Sequence, residues 1–144
     1  MTTILTETVV RLLVAPAFAV AAAILVKGYA DVGDGFAAGV VAGLGVLLLF
    51  AAFGARATHR VLPVRRAFAV AVSGLLVALV VGFAPLLAGD PPFTHRPAPE
   101  EPVVKLGTLE LISAVAFDVG VFALVLGVVV GSLDYAARVR KGDW

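Results

Sequence analysis

The residue best placed to do chemistry in this sequence is Asp118, which interrupts an otherwise uncharged apolar stretch at residues 111–133. A charge near the middle of a membrane helix costs about 3 kcal/mol, so it needs a partner or a water-filled cavity. A carboxyl group there can exchange a proton or coordinate a hard cation such as Na+. The alternative is a structural contact that locks a helix interface. No basic residue of the chain is expected at the same depth, which predicts that any partner of Asp118 lies on another chain.

Two further acidic residues flank the apolar stretches. Glu110 is predicted to begin the helix that carries Asp118, where the helix dipole stabilises a carboxylate. It could also form the outer mouth of a cation path. Asp34 lies in the glycine-rich connection KGYADVGDGFAAG, predicted to be a tight turn. There Asp34 either attracts cations or is simply solvated. The glycine spacing does not fit a nucleotide-binding loop, and no strand precedes it.

Other reactive arrangements are missing from the sequence. It contains no cysteine, which excludes disulfides and thiolate chemistry. His59 and His95 have no carboxylate close in sequence, and contact with lipid headgroups explains the basic loop that holds His59. No nucleophile–base pair or metal-binding cluster is readable. We therefore expect neither an enzyme nor a cofactor or metal site.

Composition identifies the environment in which these residues act. Of 144 residues, 61% are hydrophobic and only 15% are charged, with a mean hydropathy of +1.07. Soluble domains are about half apolar and about a quarter charged. A net charge of +1 gives little attraction for nucleic acid. The chain is therefore predicted to be an integral membrane protein.

The apolar stretches predict a single membrane domain over residues 1–144, with an all-α fold. Four transmembrane helices are expected, because each stretch approaches or exceeds the ~20 residues that a spanning helix needs. Unbroken apolar runs of this length do not fit the alternating strands of a membrane barrel. The predicted helices cover about residues 8–27, 35–55, 67–88 and 109–135. A proline-rich external loop is predicted at residues 89–107.

The distribution of lysine and arginine predicts the orientation. The side that holds both termini and the central loop carries 8 of these residues, whereas the other side carries 3. Positively charged loops face the cytoplasm. The sequence therefore predicts a multi-pass protein of the cell membrane with both termini cytoplasmic.

Small residues recur on one face of each predicted helix, which suits the close packing that holds membrane helices together. The stripes are Ala15, Ala19 and Ala23; Gly35, Gly39 and Gly43; Gly74, Ala78 and Gly82; and Gly120, Ala123 and Gly127. On the last helix, Asp118 lies about 180° from Gly127. Both faces then need protein cover, which favours a subunit of a larger assembly. The alternatives are a purely structural scaffold subunit and a stand-alone homo-oligomeric small transporter.

Two segments together resemble a known family. GYADVGDGFAAG is similar to the G-H-x-x-P-G-G-G-F-Q-G-G signature of the MnhB/MrpB subunit of Mrp-type Na+/H+ antiporters. Five residues fall on matching positions: Gly28, Gly33, Gly35, Phe36 and Gly39. The segment GTLELISAVAFDVGVFALVLGVVV resembles the family's last helix, through Phe117, Asp118, Gly120, Val121 and Gly127. Tyr29 stands where the signature has His, so a proton role of that His is not carried over.

The resemblance implies a function that composition alone does not give. Members of the family are small hydrophobic subunits of a multisubunit secondary antiporter related to the membrane arm of respiratory complex I. The complex exchanges Na+ for H+, and its other subunits and membrane lipid are the expected partners. The main proton relays belong to larger subunits. For this chain, the resemblance implies a part in assembly and in the ion path, with Asp118, Glu110 and Asp34 as candidates.

Overall fold

The computed structural model describes residues 4–27, 33–94, 105–106, 109–110 and 113–139. Four long helices account for most of these residues: α1 (Ile4–Lys27), α2 (Gly35–Val61), α3 (Ala67–Phe83) and α4 (Ser113–Val139). Short 3-10 segments, Val64–Arg66 and Ala84–Ala88, extend α3 at both ends. Two-residue strands, β1 (Lys105–Leu106) and β2 (Leu109–Glu110), pair antiparallel ahead of α4. The four helical segments are long and apolar enough to cross a membrane, which confirms the predicted all-α bundle.

Two helices differ from the predicted ranges. α2 runs past residue 55 to Val61, because Gly54 takes a non-helical conformation (φ 75°, ψ 170°) and the chain then resumes helical geometry. The Thr58 hydroxyl donates a hydrogen bond to the Gly54 carbonyl at 3.0 Å, across this break. α4 begins at Ser113 rather than at residue 109, because residues 109–110 form extended chain paired with residues 105–106. Glu110 therefore does not lie in the first turn of α4, as the sequence had predicted.

α4 is the central helix of the bundle. It packs against α2 on one side and α3 on the other, while α1 packs mainly against α2. Within the described part of the chain, α2 and α3 make no direct contact with each other. Both faces of α4 are thus covered by this chain itself. The prediction that other subunits must supply that cover is wrong for α4, because the glycines let two neighbouring helices approach closely enough.

The α3–α4 contact is close enough to involve backbone atoms. A Cβ added at Gly120 would lie 2.9 Å from the Ala78 nitrogen, and one at Gly127 would lie 2.5 Å from the Ala71 nitrogen. A methyl group cannot fit at those separations, so glycine is required for the two backbones to meet. Helices in lipid gain stability mainly from such close packing, because burial of apolar surface contributes little between them.

The small-residue stripe of α2 faces α4, whereas that of α1 does not face the bundle. A Cβ at Gly39 would lie 2.9 Å from Val125, and one at Gly43 would lie 2.8 Å from Val129. The predicted α1 stripe (Ala15, Ala19 and Ala23) is instead exposed. α1 packs through a different face, on which Val10 and Ala21 are buried. The exposed side of α1 is therefore open to lipid or to another protein.

The α3–α4 contact predicts different outcomes for two glycines of α4. Gly127→Ala should lower the free energy of unfolding by about 1–3 kcal/mol, because the methyl group meets the backbone of α3. Gly131→Ala should be tolerated better, because its Cβ would meet the Phe68 ring at 3.0–3.1 Å and a side chain can shift. Denaturant titration of both purified variants in detergent measures the difference. Equal losses of stability would contradict the backbone contact at Gly127.

Candidate functional site

Asp118 lies in the interior of the described structure, where its residue surface is 3% exposed. Its Oδ2 accepts a hydrogen bond of 2.9 Å from the backbone N–H of Gly33, two residues before α2 begins. The carboxylate and the start of α2 are therefore joined directly. The predicted partner on another chain is not needed, since a backbone amide of this chain occupies that position. Spacing alone could not reveal this contact, because 85 residues separate the two groups.

Two glycines of the glycine-rich connection make this contact possible. Gly33 has a φ of +118°, a conformation that side-chain-bearing residues rarely adopt. Gly35 packs against the backbone carbonyl of Asp118, with no room there for a Cβ atom. One glycine thus aims an amide at the carboxylate, and the other lets α2 begin directly against α4.

The remaining residues of the glycine-rich connection lie around this contact or beyond the described chain. Asp34 forms an ion pair with Lys27 of α1, in which Nζ and Oδ2 are 3.3 Å apart. The Lys27 side chain is 65% exposed and that of Asp34 is 30% exposed, so the pair adds little stability. Phe36 is exposed on the first turn of α2. Gly28 lies outside the described residues.

Aromatic rings cover α3 and α4 at the end of the bundle that holds Asp118. After α3 the chain folds back, and the Phe93 N–H donates to the Gly82 carbonyl at 2.7 Å. The Phe93 ring lies edge-on to that of Phe117, with centroids 6.0 Å apart, and 5.6 Å from that of Phe83. Phe117 directly precedes Asp118, so this aromatic cover adjoins the residue that carries the carboxylate.

The hydrogen bond from Gly33 leaves much of the Asp118 carboxyl group available. A carboxylate offers about four acceptor positions, and the structure records one contact to it among the described residues. The described residues contain no group of three His, Cys, Asp or Glu side chains that could hold a metal ion. Asp118 can therefore bind a proton unaided, whereas a cation there needs further oxygen ligands. Glu110 lies in β2, ahead of α4.

A second polar cluster lies near the other end of α4, and sequence reasoning missed it. The His59 Nε2 and Asp134 Oδ1 are 2.6 Å apart, and Arg138 donates to Asp134 Oδ2 at 2.5 Å. Asp134 is buried, with 8% of its side chain exposed. The i,i+4 spacing of Asp134 and Arg138 was a readable signal. The contact with His59 was not, because it depends on α2 continuing past the break at Gly54.

The two buried aspartates mark opposite ends of α4. Asp118 and Asp134 are sixteen residues apart in sequence, which corresponds to about 24 Å along a helix. The apolar core of a bilayer is about 30 Å thick. Each carboxylate therefore lies within a few ångströms of a membrane surface if α4 crosses the bilayer, and each contacts a different end of α2.

The His59–Asp134 contact predicts energetic coupling between the two residues. Replacing His59 by Gln or Asp134 by Asn should each destabilise the protein, and the double variant should lose less than the sum of the two. We expect a coupling free energy of about 1 kcal/mol or more, as found for residues in one hydrogen-bonded network. Denaturant unfolding of the four proteins in detergent measures it. Arg60→Gln paired with Asp134→Asn is the control, and additive effects for the His59 pair would contradict the contact.

Comparison with known proteins places this arrangement among its relatives. Residues 5–131 match the family described as a domain related to the MnhB subunit of Na+/H+ antiporter. The matched range includes both ends of the Gly33–Asp118 contact.

Three curated proteins are similar to the chain over most of its length. A Na+/H+ antiporter subunit of Alkalihalophilus pseudofirmus is 33% identical over 101 residues, or 70% of this chain and 69% of that protein. The Na+/H+ antiporter subunit of the same name from Bacillus subtilis is 31% identical over 105 residues, or 73% and 72% of the two chains. A probable K+/H+ antiporter subunit of Rhizobium meliloti is 37% identical over 111 residues. That match covers 76% of this chain but 11% of the much longer relative.

Proposed function

The chain belongs to the family of domains related to the MnhB subunit of Na+/H+ antiporters, and on that premise we propose that it is a small membrane subunit of a multisubunit monovalent cation/proton antiporter. The names of its relatives support this function, since two are subunits of Na+/H+ antiporters. A third is a probable K+/H+ antiporter subunit. The exchanged ions are accordingly H+ and a monovalent cation, Na+ in the first instance.

The buried Asp118 carboxylate is the observation that supports a direct part in the ion path. It is held by one backbone N–H and keeps acceptor positions for a proton or a cation. An ionisable group inside the membrane is expensive to retain and commonly marks an ion path. We infer that Asp118 takes up and releases a proton, or supplies one oxygen to a cation whose other ligands come from neighbouring subunits.

Two acidic residues extend this proposal toward the membrane surface. Asp34 follows directly after Gly33, the residue that donates to Asp118, and its side chain is partly exposed beside Lys27. Glu110 precedes α4 in the chain. We propose that Asp34 and Glu110 give the mouth of the path a negative charge that attracts cations.

Other subunits of the antiporter and membrane lipid are the proposed partners. α1 is the least buried of the four spans, with 11% of its apolar window buried inside the chain. Its alanine stripe is exposed, and small residues on a membrane helix allow a second helix to approach closely. We therefore propose that α1 contacts another subunit, which is consistent with a role in assembly.

Asp118→Asn tests the ion path. In vesicles that contain the complete antiporter, this variant should reduce cation-driven proton exchange by about 100-fold, the lower range for a positioned proton-transfer group. The amide nearly preserves side-chain shape but cannot take up and release a proton as the carboxyl does. Exchange is measured as the recovery of a pH-sensitive dye after addition of Na+ or K+. Glu7→Gln is the matched acid-to-amide control on α1, and it should exchange normally.

Assembly must be measured in the same vesicles. Mild detergent extraction followed by mass spectrometry should recover Asp118→Asn with the same partner proteins as the natural sequence. Normal exchange by this variant would remove Asp118 from the ion path. Loss of the partner proteins would assign Asp118 a structural role, in which its bond to Gly33 fixes the α2–α4 contact. Recovery of the natural chain as a homo-oligomer alone would overturn the proposed function.

We propose that the protein lies in the cell membrane with both termini in the cytoplasm. The basic residues of the α2–α3 connection lie at the same end of the bundle as the His59–Asp134–Arg138 cluster. Arg11 reaches this end as well, since its guanidinium lies over the Phe53 ring at 5.1 Å from the centroid. Concentration of positive charge at one end of a bundle favours a cytoplasmic location for that end.

The absence of cysteine from the sequence permits a direct test of this orientation. Cysteine introduced at Pro92 should react with a membrane-impermeant maleimide applied to intact cells. Cysteine introduced at Val61, which is 74% exposed, should react only after the cells are opened. The reverse pattern would place the basic end of the bundle outside the cell.

A further inference from the structure

An apolar cleft lies where α2 and α3 stand apart on either side of α4. Its volume is about 390 Å³, and each of the four helices contributes to its walls, through Phe18, Val46, Val70 and Val130 among others. Of the described residues that line it, Arg66 alone is charged. The cleft is therefore shaped for an apolar molecule and has a cation at one margin.

The charged margin opens into a second cavity at the α2–α3 connection. This cavity has a volume of about 580 Å³ and is lined by His59, Leu62, Pro63, Val64, Arg65 and Arg66. Four of these residues also line the apolar cleft, namely Leu62, Pro63, Val64 and Arg66. The two spaces thus share a wall, so that an apolar region leads directly to a polar one.

The two arginines at this margin are available to an anion. Arg65 and Arg66 are both exposed, and the structure records no ion pair for either with any described residue. The recorded pairs in this part of the chain use His59 and Arg138 as the basic partners of Asp134. Adjacent guanidinium groups at the margin of an apolar cleft suit a phosphate group attached to a hydrocarbon chain.

We propose that this cleft binds one phospholipid with an anionic headgroup, drawn from the leaflet on the side of the α2–α3 connection. An acyl chain lies between α2 and α3 against Val46, Val70 and Val130, and the phosphate lies at Arg65 and Arg66. The paired arginines favour a phospholipid over an apolar helix of a neighbouring subunit, because a helix surface would leave both charges without a partner. This site is separate from Asp118 and does not depend on the proposed ion path.

The headgroup contact is tested by native mass spectrometry of the purified complex that contains this chain. The complex is first stripped of lipid and then titrated with phosphatidylglycerol in detergent micelles. The paired substitution Arg65→Gln and Arg66→Gln should lower the fraction with one bound phosphatidylglycerol about tenfold or more. Arg56→Gln with Arg60→Gln is the control, since it removes two charges from the same end of the protein but none from the margin.

The acyl-chain contact needs a separate variant. Val70→Trp fills the cleft and should displace the lipid, whereas Val72→Trp adds the same bulk at an exposed position of α3 that does not line the cleft. Thermal unfolding of both variants controls for misfolding. Equal loss of lipid in the two arginine pairs would overturn the site in favour of general surface attraction. Unchanged binding by a folded Val70→Trp, or binding of phosphatidylcholine as tight as that of phosphatidylglycerol, would overturn it as well.

Discussion

The approach of α4 to two neighbouring helices at backbone distance is the constraint on which the rest of this structure depends. Gly120 and Gly127 admit the backbone of α3, while Gly35 on α2 admits the backbone of α4 at Asp118. A membrane bundle has little hydrophobic force between its helices and relies on close packing instead. Because α4 is enclosed from both sides, it can hold a carboxylate away from lipid without a basic partner.

The same close packing determines what surrounds each end of α4. At one end, the turn before α2 supplies the N–H that binds Asp118. At the other, the segment of α2 beyond Gly54 supplies His59 to Asp134. Since α4 holds α2 and α3 on opposite sides, these two helices do not meet, and the apolar cleft lies between them. The carboxylate contact, the polar cluster and the cleft are thus three consequences of one central helix.

Composition and apolar length were sufficient to predict the fold, because a spanning helix needs about 20 apolar residues and the chain has four such stretches. Asp118 could be singled out from sequence, since a charge inside an apolar run has few explanations. Its partner could not, because a backbone amide leaves no trace in residue type. The α1 stripe of Ala15, Ala19 and Ala23 was misleading for a related reason: alanine suits a packed face and an exposed one equally well.

The helix ends were harder to predict than the helices. A glycine at position 54 suggests an end, yet the chain resumes as helix after one non-helical residue and brings His59 to α4. The start of α4 was placed early because apolar character begins before helical geometry does. In both cases the outcome depends on contacts between segments far apart in sequence, which local patterns do not encode.

The central claim is that Asp118, enclosed within this chain and held by Gly33, exchanges a proton as the antiporter works. Infrared difference spectroscopy of the complete complex, recorded with and without a transported cation, observes carboxyl protonation directly. The account predicts a protonated-carboxyl band that changes on addition of the cation and is missing in Asp118→Asn, with complex assembly intact. A difference spectrum identical in the natural protein and the assembled variant would contradict it.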